Sequence, residues 1–167
     1  NLGEMLERAL ESCDSILTRL SAELVIVDDA STDETPPICR KAQRRYAPGV
    51  IRVSRHAEHQ GLISSCNDGL ALARGAYVMR LDADDELLAE PFLKAYQCLQ
   101  AEAFDIGLSD YEVVEAATGR IERMRPEPFN PFLANACGVV FAREVVIAAG
   151  GYRPFFWEEY DLLLRLE

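Results

Sequence analysis

Lysine is nearly absent from this 167-residue chain: only Lys41 and Lys94 occur. A phosphoacceptor receiver domain also gathers aspartates at strand ends, but it needs a lysine late in the chain, and neither lysine follows a late strand. Basic residues as a whole are outnumbered, 17 Lys+Arg against 28 Asp+Glu, for a formal net charge of −11. That balance excludes a protein that tracks a nucleic-acid backbone. It also obliges any anionic ligand to find a cation or backbone N–H groups. CxxC spacing is missing too. Cys13, Cys39, Cys66, Cys98 and Cys137 are odd in number and far apart. A zinc site or disulfide framework is thereby excluded, and buried, reduced thiols are expected. There is no Ser/His or Cys/His constellation for covalent catalysis, and no glycine-rich basic loop near the N-terminus of the kind a sugar-nucleotide-forming nucleotidyltransferase uses. Nothing resembles a signal peptide, and no apolar run approaches ~20 residues. The expected setting is the cytoplasm, with contact at the inner face of a membrane left open. No repeat, low-complexity tract or linker divides the chain, so one domain over 1–167 is expected. Its length suffices for a core, and 49% hydrophobic and 27% charged residues are ordinary for a globular protein.

What is present is a regular alternation of elements. Leu2, Met5, Leu6, Ala9, Leu10, Cys13, Ile16 and Leu17 recur at helical spacing and predict a helix over 2–20, with Asn1 able to cap it. Leu24–Val27 is a short apolar run suited to a buried parallel strand. Ser31 to Thr35 supply turn and cap chemistry, and Pro36-Pro37 suit the first turn of a helix over 35–47. A strand over 50–54, a helix opened by Gly61 and stopped by Gly75, and a strand over 76–81 follow. The second half predicts a helix over 91–102, strands over 104–114 and 120–124 joined at Thr118-Gly119, and a proline-bearing loop over 125–135. A short strand over 138–142, a helix over 143–149 and a last helix over 157–167 complete the chain. Strands alternating with helices in the first half imply right-handed βαβ units.

Three acidic groups stand at element ends. Asp28-Asp29 closes the first strand. As turn residues they cap the next helix together with Ser31; as ligands they accept hydrogen bonds from a nucleobase or ribose, because ligands in open α/β sheets bind beyond the carboxyl ends of strands. Asp82-Ala83-Asp84-Asp85 puts three carboxylates within four residues. They repel unless solvated or neutralised, and Mg²⁺ or Mn²⁺ resolves the repulsion, because hard cations take carboxylate oxygens. Trp157-Glu158-Glu159-Tyr160-Asp161 opens the last helix. There a carboxylate is either stabilised by the helix dipole or serves as a general base. Gly61 is either a plain helix-opening glycine or one that turns backbone N–H groups toward a phosphate. His56 and His59 lack a third metal ligand and read as exposed or hydrogen-bonded loop histidines.

In this order the pieces resemble the family 2 glycosyltransferases. The matching segments are Val25-Ile26-Val27-Asp28-Asp29-Ala30-Ser31-Thr32-Asp33, Gly61 with Asn67 and Gly69, and Gly75-Ala76-Tyr77-Val78 leading to Leu81-Asp82-Ala83-Asp84-Asp85. They continue with Val140-Phe141-Ala142-Arg143-Glu144, Gly150-Gly151-Tyr152 and Glu158-Glu159-Tyr160-Asp161-Leu162-Leu163-Leu164-Arg165. The resemblance implies a GT-A fold: an α/β, Rossmann-like, mostly parallel sheet flanked by helices, with a small antiparallel part in the second half. It implies metal-dependent transfer of a sugar, with inversion, from a nucleotide-sugar, UDP-type foremost, to a saccharide, lipid-linked or protein hydroxyl. A non-catalytic sugar-nucleotide binding module is the alternative. By the same resemblance Asp29, with Asp28 beside it, recognises the base. Asp84 holds Mg²⁺ or Mn²⁺ on the diphosphate, Asp82 lies near the ribose or the metal's waters, and Asp85 is a second candidate there. Glu159 stands where the family usually has its aspartate base. The family also has a strand ahead of Asn1, central in the sheet, and acceptor-binding elements beyond the last helix. The chain is therefore expected to be part of a longer protein.

Overall fold

The computed structural model describes residues 2–125, 138–155 and 157–166. Helix α1 (Gly3–Arg19) buries Leu6, Ala9, Cys13 and Ile16, spaced three and four apart along one face. Its N-cap is Leu2, and the expected cap at Asn1 lies outside the described residues. Strand β1 (Leu24–Asp28) runs parallel to β2 (Ile51–Arg55), with Leu24 opposite Ile51 and Asp28 opposite Arg55. Helix α2 (Thr35–Arg45) makes the crossover, with its prolines in the first turn, where a missing N–H costs nothing. Helix α3 (Leu62–Leu72) follows β2 and lies on β1, where Gly69 faces the Val27 side chain.

Strand β3 (Tyr77–Met79) and helix α4 (Ala89–Glu102) lead into the antiparallel part. Strand β7 (Val139–Ala142) is central there, between β3 and β4 (Ile106–Leu108). β5 (Tyr111–Val114) and β6 (Ile121–Met124) form a separate hairpin turned at Gly119, whose φ is +69°. The single strand expected over 104–114 is therefore two. At Ser109 the chain changes partner: its N–H donates to the Gly138 carbonyl at 2.8 Å, which ends β4 on β7 and frees the rest to pair with β6. Among the described pairings β1–β2 is parallel, and those of β3–β7, β4–β7 and β5–β6 are antiparallel. The proline-bearing loop expected over 125–135 falls, from 126 on, outside the described residues.

Helices α5 (Arg143–Ala148) and α6 (Glu158–Arg165) close the core. It is built from Val139 and Phe141 of β7, Val146 of α5, Tyr152, and Leu162 and Leu163 of α6, with Ile63 and Leu70 of α3 against them. β1 and β3 do not pair with each other. An apolar cavity of about 850 Å³ opens between them, lined by Leu6, Ile16, Val25, Leu70, Val78 and Phe92 among others. That is where the resemblance places the family's first strand. No helix among the described residues is long and apolar enough to cross a membrane. Among the described thiols, Cys13 and Cys39 are buried as expected, Cys66 is half-buried and Cys98 is exposed, all four free, and Cys137 lies outside the described residues.

Leu162 is fully buried, whereas its neighbour Leu164 is 46% exposed. Leu162→Ala should cost about 2–5 kcal/mol of unfolding free energy in urea, and Leu164→Ala should stay within about 0.5 kcal/mol of wild type.

Candidate active site

The acidic groups stand at the ends of strands and at the start of α6, and each is bound differently. Asp28 is buried. Its Oδ1 accepts the Ser31 N–H at 2.9 Å and its Oδ2 faces Arg55 Nη1 at 3.3 Å. It shapes the turn in which Ala30 takes a φ of +59°. Asp29 is the busier carboxylate. It accepts the N–H groups of Gln60 and Gly61, each at 2.8 Å, and both His56 Nδ1 and His59 Nδ1 lie 2.7 Å away. Burial pushes the Asp29 carboxyl up, but these donors outweigh it and hold the group well below the usual carboxylate range. The Gly61 N–H, one candidate for facing a phosphate, is thus engaged by Asp29. Gly61 itself has a φ of +89° and open space around it. The histidines split: His56 is buried on two carboxylates, and His59 is 81% exposed.

At the other strand end a cation not singled out in the sequence organises the acids. Arg80 follows β3, and its side chain is only 16% exposed. Its Nε and Nη2 donate to the two oxygens of Asp82, both at 2.9 Å, a bidentate fork. Its Nη1 donates to Glu158 Oε1 at 2.6 Å and also faces Glu159 Oε1 as an ion pair. Burial works to lower the guanidinium's pKa, and the Asp82 and Glu158 bonds more than reverse it, so Arg80 stays charged. The signal in the sequence was an arginine ending an apolar strand just ahead of three acids.

The same ion network separates the two glutamates. Burial raises Glu158, but the Arg80 hydrogen bond brings it below its ordinary value. Glu159 Oε1 is buried and accepts no hydrogen bond. Burial pushes the Glu159 carboxyl up, Arg80 opposes this, and the neighbouring Glu158 and Asp82 charges add to it, so it reaches about 7. Helix α6 that carries it is fixed from behind. Arg165 donates to Asp161 at 2.8 Å, to the Gly151 carbonyl at 2.7 Å and to the Ala149 carbonyl. Asn67 of α3 donates to the Tyr152 carbonyl and accepts its N–H, both at 2.9 Å. Gly151 must be glycine: its φ is +70°, and a Cβ would stand 2.5 Å from Asn67 Oδ1.

Asp84 lies exposed on the turn beyond Asp82, and the Asp85 N–H donates to the Asp82 carbonyl at 3.1 Å. Among the described residues no three His, Cys, Asp or Glu side chains gather into a cage able to hold a metal. An exposed carboxylate beside an Arg-bound one instead fits a hard divalent cation that takes one or two protein oxygens and completes its shell with water and phosphate.

Residues 1–158 match the glycosyl transferase family 2 model. The chain belongs to that family. It is 29% identical over 133 residues to the succinoglycan biosynthesis protein ExoU of Rhizobium meliloti, covering 77% of this chain and 37% of the relative. It is 27% identical over 109 residues to the poly(ribitol-phosphate) beta-glucosyltransferase of Bacillus spizizenii, 65% of this chain and 17% of the relative. Among solved structures, a Pyrobaculum calidifontis mannosyltransferase in complex with GDP-Man and Mn²⁺ superposes with a TM-score of 0.74 at 20% identity, covering 98% of this chain and 48% of that one. Residues 1–349 of S. aureus TarS give 0.76 at 18% identity, covering 99% and 52%. These neighbours share the GT-A fold. The family 2 chain described here spans about half of the solved chains and less of the two curated relatives.

A glutamate whose proton is held more tightly in the fold than in the open chain costs stability when ionised. That cost is absent below its ordinary value of 4.5 and complete above about 7. Glu159→Gln should therefore raise stability at alkaline pH, on the order of 1–2 kcal/mol. The gain should shrink as pH falls toward 4.5, read by thermal melts across the pH range.

Proposed function

We propose that this domain transfers a sugar from a nucleotide-sugar to an acceptor hydroxyl, with inversion at the anomeric carbon. The observation that carries the reading is the span of Arg80: one guanidinium grips Asp82 on the strand side and meets Glu158 and Glu159 on the helix side. A donor-side carboxylate and a base with a pKa of about 7 are thereby joined across one side chain. A general base works best when its pKa lies near the working pH.

In this reading Asp29 and Asp28 form the nucleoside end. Asp29 has a rigid carboxylate set among backbone N–H groups, and Asp28 holds the turn behind it. Asp84, with Asp82 and Asp85 at hand, would hold Mg²⁺ or Mn²⁺. Bound there, such a cation offsets the charge that builds on the nucleoside diphosphate leaving group. Glu159 takes the proton of the acceptor hydroxyl as that oxygen attacks the anomeric carbon opposite the leaving group. One displacement inverts the configuration, and no covalent nucleophile is needed. The solved neighbours support a nucleotide-sugar donor, since one holds GDP-Man with Mn²⁺ and TarS has been solved with UDP-GlcNAc. A UDP-sugar is the donor we assign, with a saccharide, lipid-linked or protein hydroxyl as acceptor.

Calorimetry with UDP, GDP and dTDP, with and without Mn²⁺, tests the donor site. Binding should require the metal and weaken about tenfold or more in Asp84→Ala. Absence of binding by the intact, folded protein would sink the donor reading. Glu159→Gln should keep nucleotide binding and lose about 10²–10⁴-fold in transfer rate. The wild-type rate should rise with pH through about 7 and level off, because the base must be ionised. Binding without turnover in the wild type would favour a sugar-nucleotide binding module instead.

A further inference from the structure

His56 has no part in the chemistry just outlined, yet the fold buries it. Its side chain is 6% exposed, and both ring nitrogens meet carboxylates. Nδ1 lies 2.7 Å from Asp29 Oδ1, and Nε2 lies 2.8 Å from Asp68 Oδ2. An ionised carboxylate only accepts hydrogen bonds, and a neutral imidazole has one N–H to give. Both contacts are satisfied together only if the ring is doubly protonated or one carboxyl carries the proton. Asp29 already accepts two backbone N–H groups and faces His59, which commits it to the ionised form. On the other side the Asp68 carboxylate is 48% exposed, with water free to donate to its oxygens. The extra proton therefore belongs to the ring.

The bridge also has a place in the fold. Asp29 stands just past β1, His56 just past β2 and Asp68 within α3. The His56 backbone N–H donates to the Asp28 carbonyl at 3.0 Å, so the main chain that carries the ring is held at the tip of β1. We propose that His56, held as an imidazolium between Asp29 and Asp68, is a positioning residue of the donor site. It fixes the Asp29 carboxylate for the nucleoside and makes nucleotide affinity depend on one proton. The proposal rests on the donor-site reading above.

The charged groups around the ring are few. Asp29 faces it from the end of β1 and Asp68 from α3, while His59 acts through Asp29. Arg55, the residue before it, turns away to the Asp28 carboxylate and the Ser31 carbonyl. The bonds to Asp29 and Asp68 raise the ring's pKa, and burial only partly opposes them. The bridge is therefore complete below the ordinary imidazole value of 6.5 and is lost as pH rises through the raised one. A neutral ring keeps one N–H and releases one carboxylate.

The test is an NMR titration of the His56 ring in the intact protein, alongside calorimetry of UDP and GDP with Mn²⁺ across neutral and mildly alkaline pH. Wild type, Asp68→Asn and His56→Gln are compared. The wild-type ring should titrate above the ordinary imidazole value. Asp68→Asn should move that titration to lower pH, and the pH at which nucleotide affinity falls should move with it. His56→Gln should bind about two- to tenfold more weakly at the lower end of that pH range and lose this component of the pH dependence. Should His56→Gln fail to fold, the Asp68→Asn shift decides alone. A ring that titrates at or below the ordinary value, or one affinity profile shared by wild type and Asp68→Asn, overturns the proposal. No nucleotide binding at any pH overturns the donor reading and this proposal together. Binding with an unshifted profile overturns only the role of His56.

Discussion

The acidic cluster between the end of β3 and the start of α6 depends on the guanidinium of Arg80. The sequence brings Asp82, Glu158 and Glu159 together in a chain that is already strongly negative, and three carboxylates half-removed from water repel each other. A lysine would offer a point charge. Arginine offers a planar fork that takes both oxygens of one carboxylate and still has donors for others. Arg80 uses that geometry in full, with Nε and Nη2 on Asp82 and Nη1 on the α6 glutamates. Burying such a cluster gains little stability by itself, because desolvation cancels much of the attraction. Its consequence is positional: the end of β3 and the start of α6 are held at the distance one side chain allows.

The supports behind that contact follow the same logic. Helix α6 packs Leu162 and Leu163 into the core, and Arg165 ties its far end to the Gly150-Gly151 turn. Asn67 binds that turn to α3 through both directions of one backbone amide pair. The tip of β1 is held by Asp29, which collects the Gln60 and Gly61 N–H groups and so joins the loop ahead of α3 to the end of β1. The two acidic strand ends therefore differ in kind. Asp28 and Asp29 are held by internal donors, whereas Asp84 remains exposed to solvent. A rigid carboxylate suits recognition of a base or ribose, and an exposed one suits a cation shared with phosphates.

Much of this was legible in the sequence. Helical spacing placed α1 to within a residue at each end, and apolar runs placed β1, β2 and β7 nearly as well. The strand-end acids pointed to a candidate site because ligands in open α/β sheets bind beyond the carboxyl ends of strands. What failed was information about partners. The run over 104–114 has strand character throughout, and no local pattern says that it leaves β7 for β6 at Ser109. Gly61 read equally well as a phosphate cradle, and only the fold reveals that Asp29 takes its N–H. The reach of Arg80 to α6 and the His56–Asp29 contact escaped notice because each joins residues distant in sequence: 78 positions separate Arg80 from Glu158, and 27 separate His56 from Asp29. The order of motifs carried the family, and residue roles need the measurements given with each site.

The central claim is that Arg80 holds a glutamate poised near neutrality against Asp82. A carbon-13 carboxyl titration of Glu159, in wild type and in Arg80→Gln, tests it most directly. The account predicts a wild-type midpoint at about 7, and a higher one once the arginine's charge is gone. A midpoint near the ordinary glutamate value of 4.5, unmoved by the substitution, would contradict it.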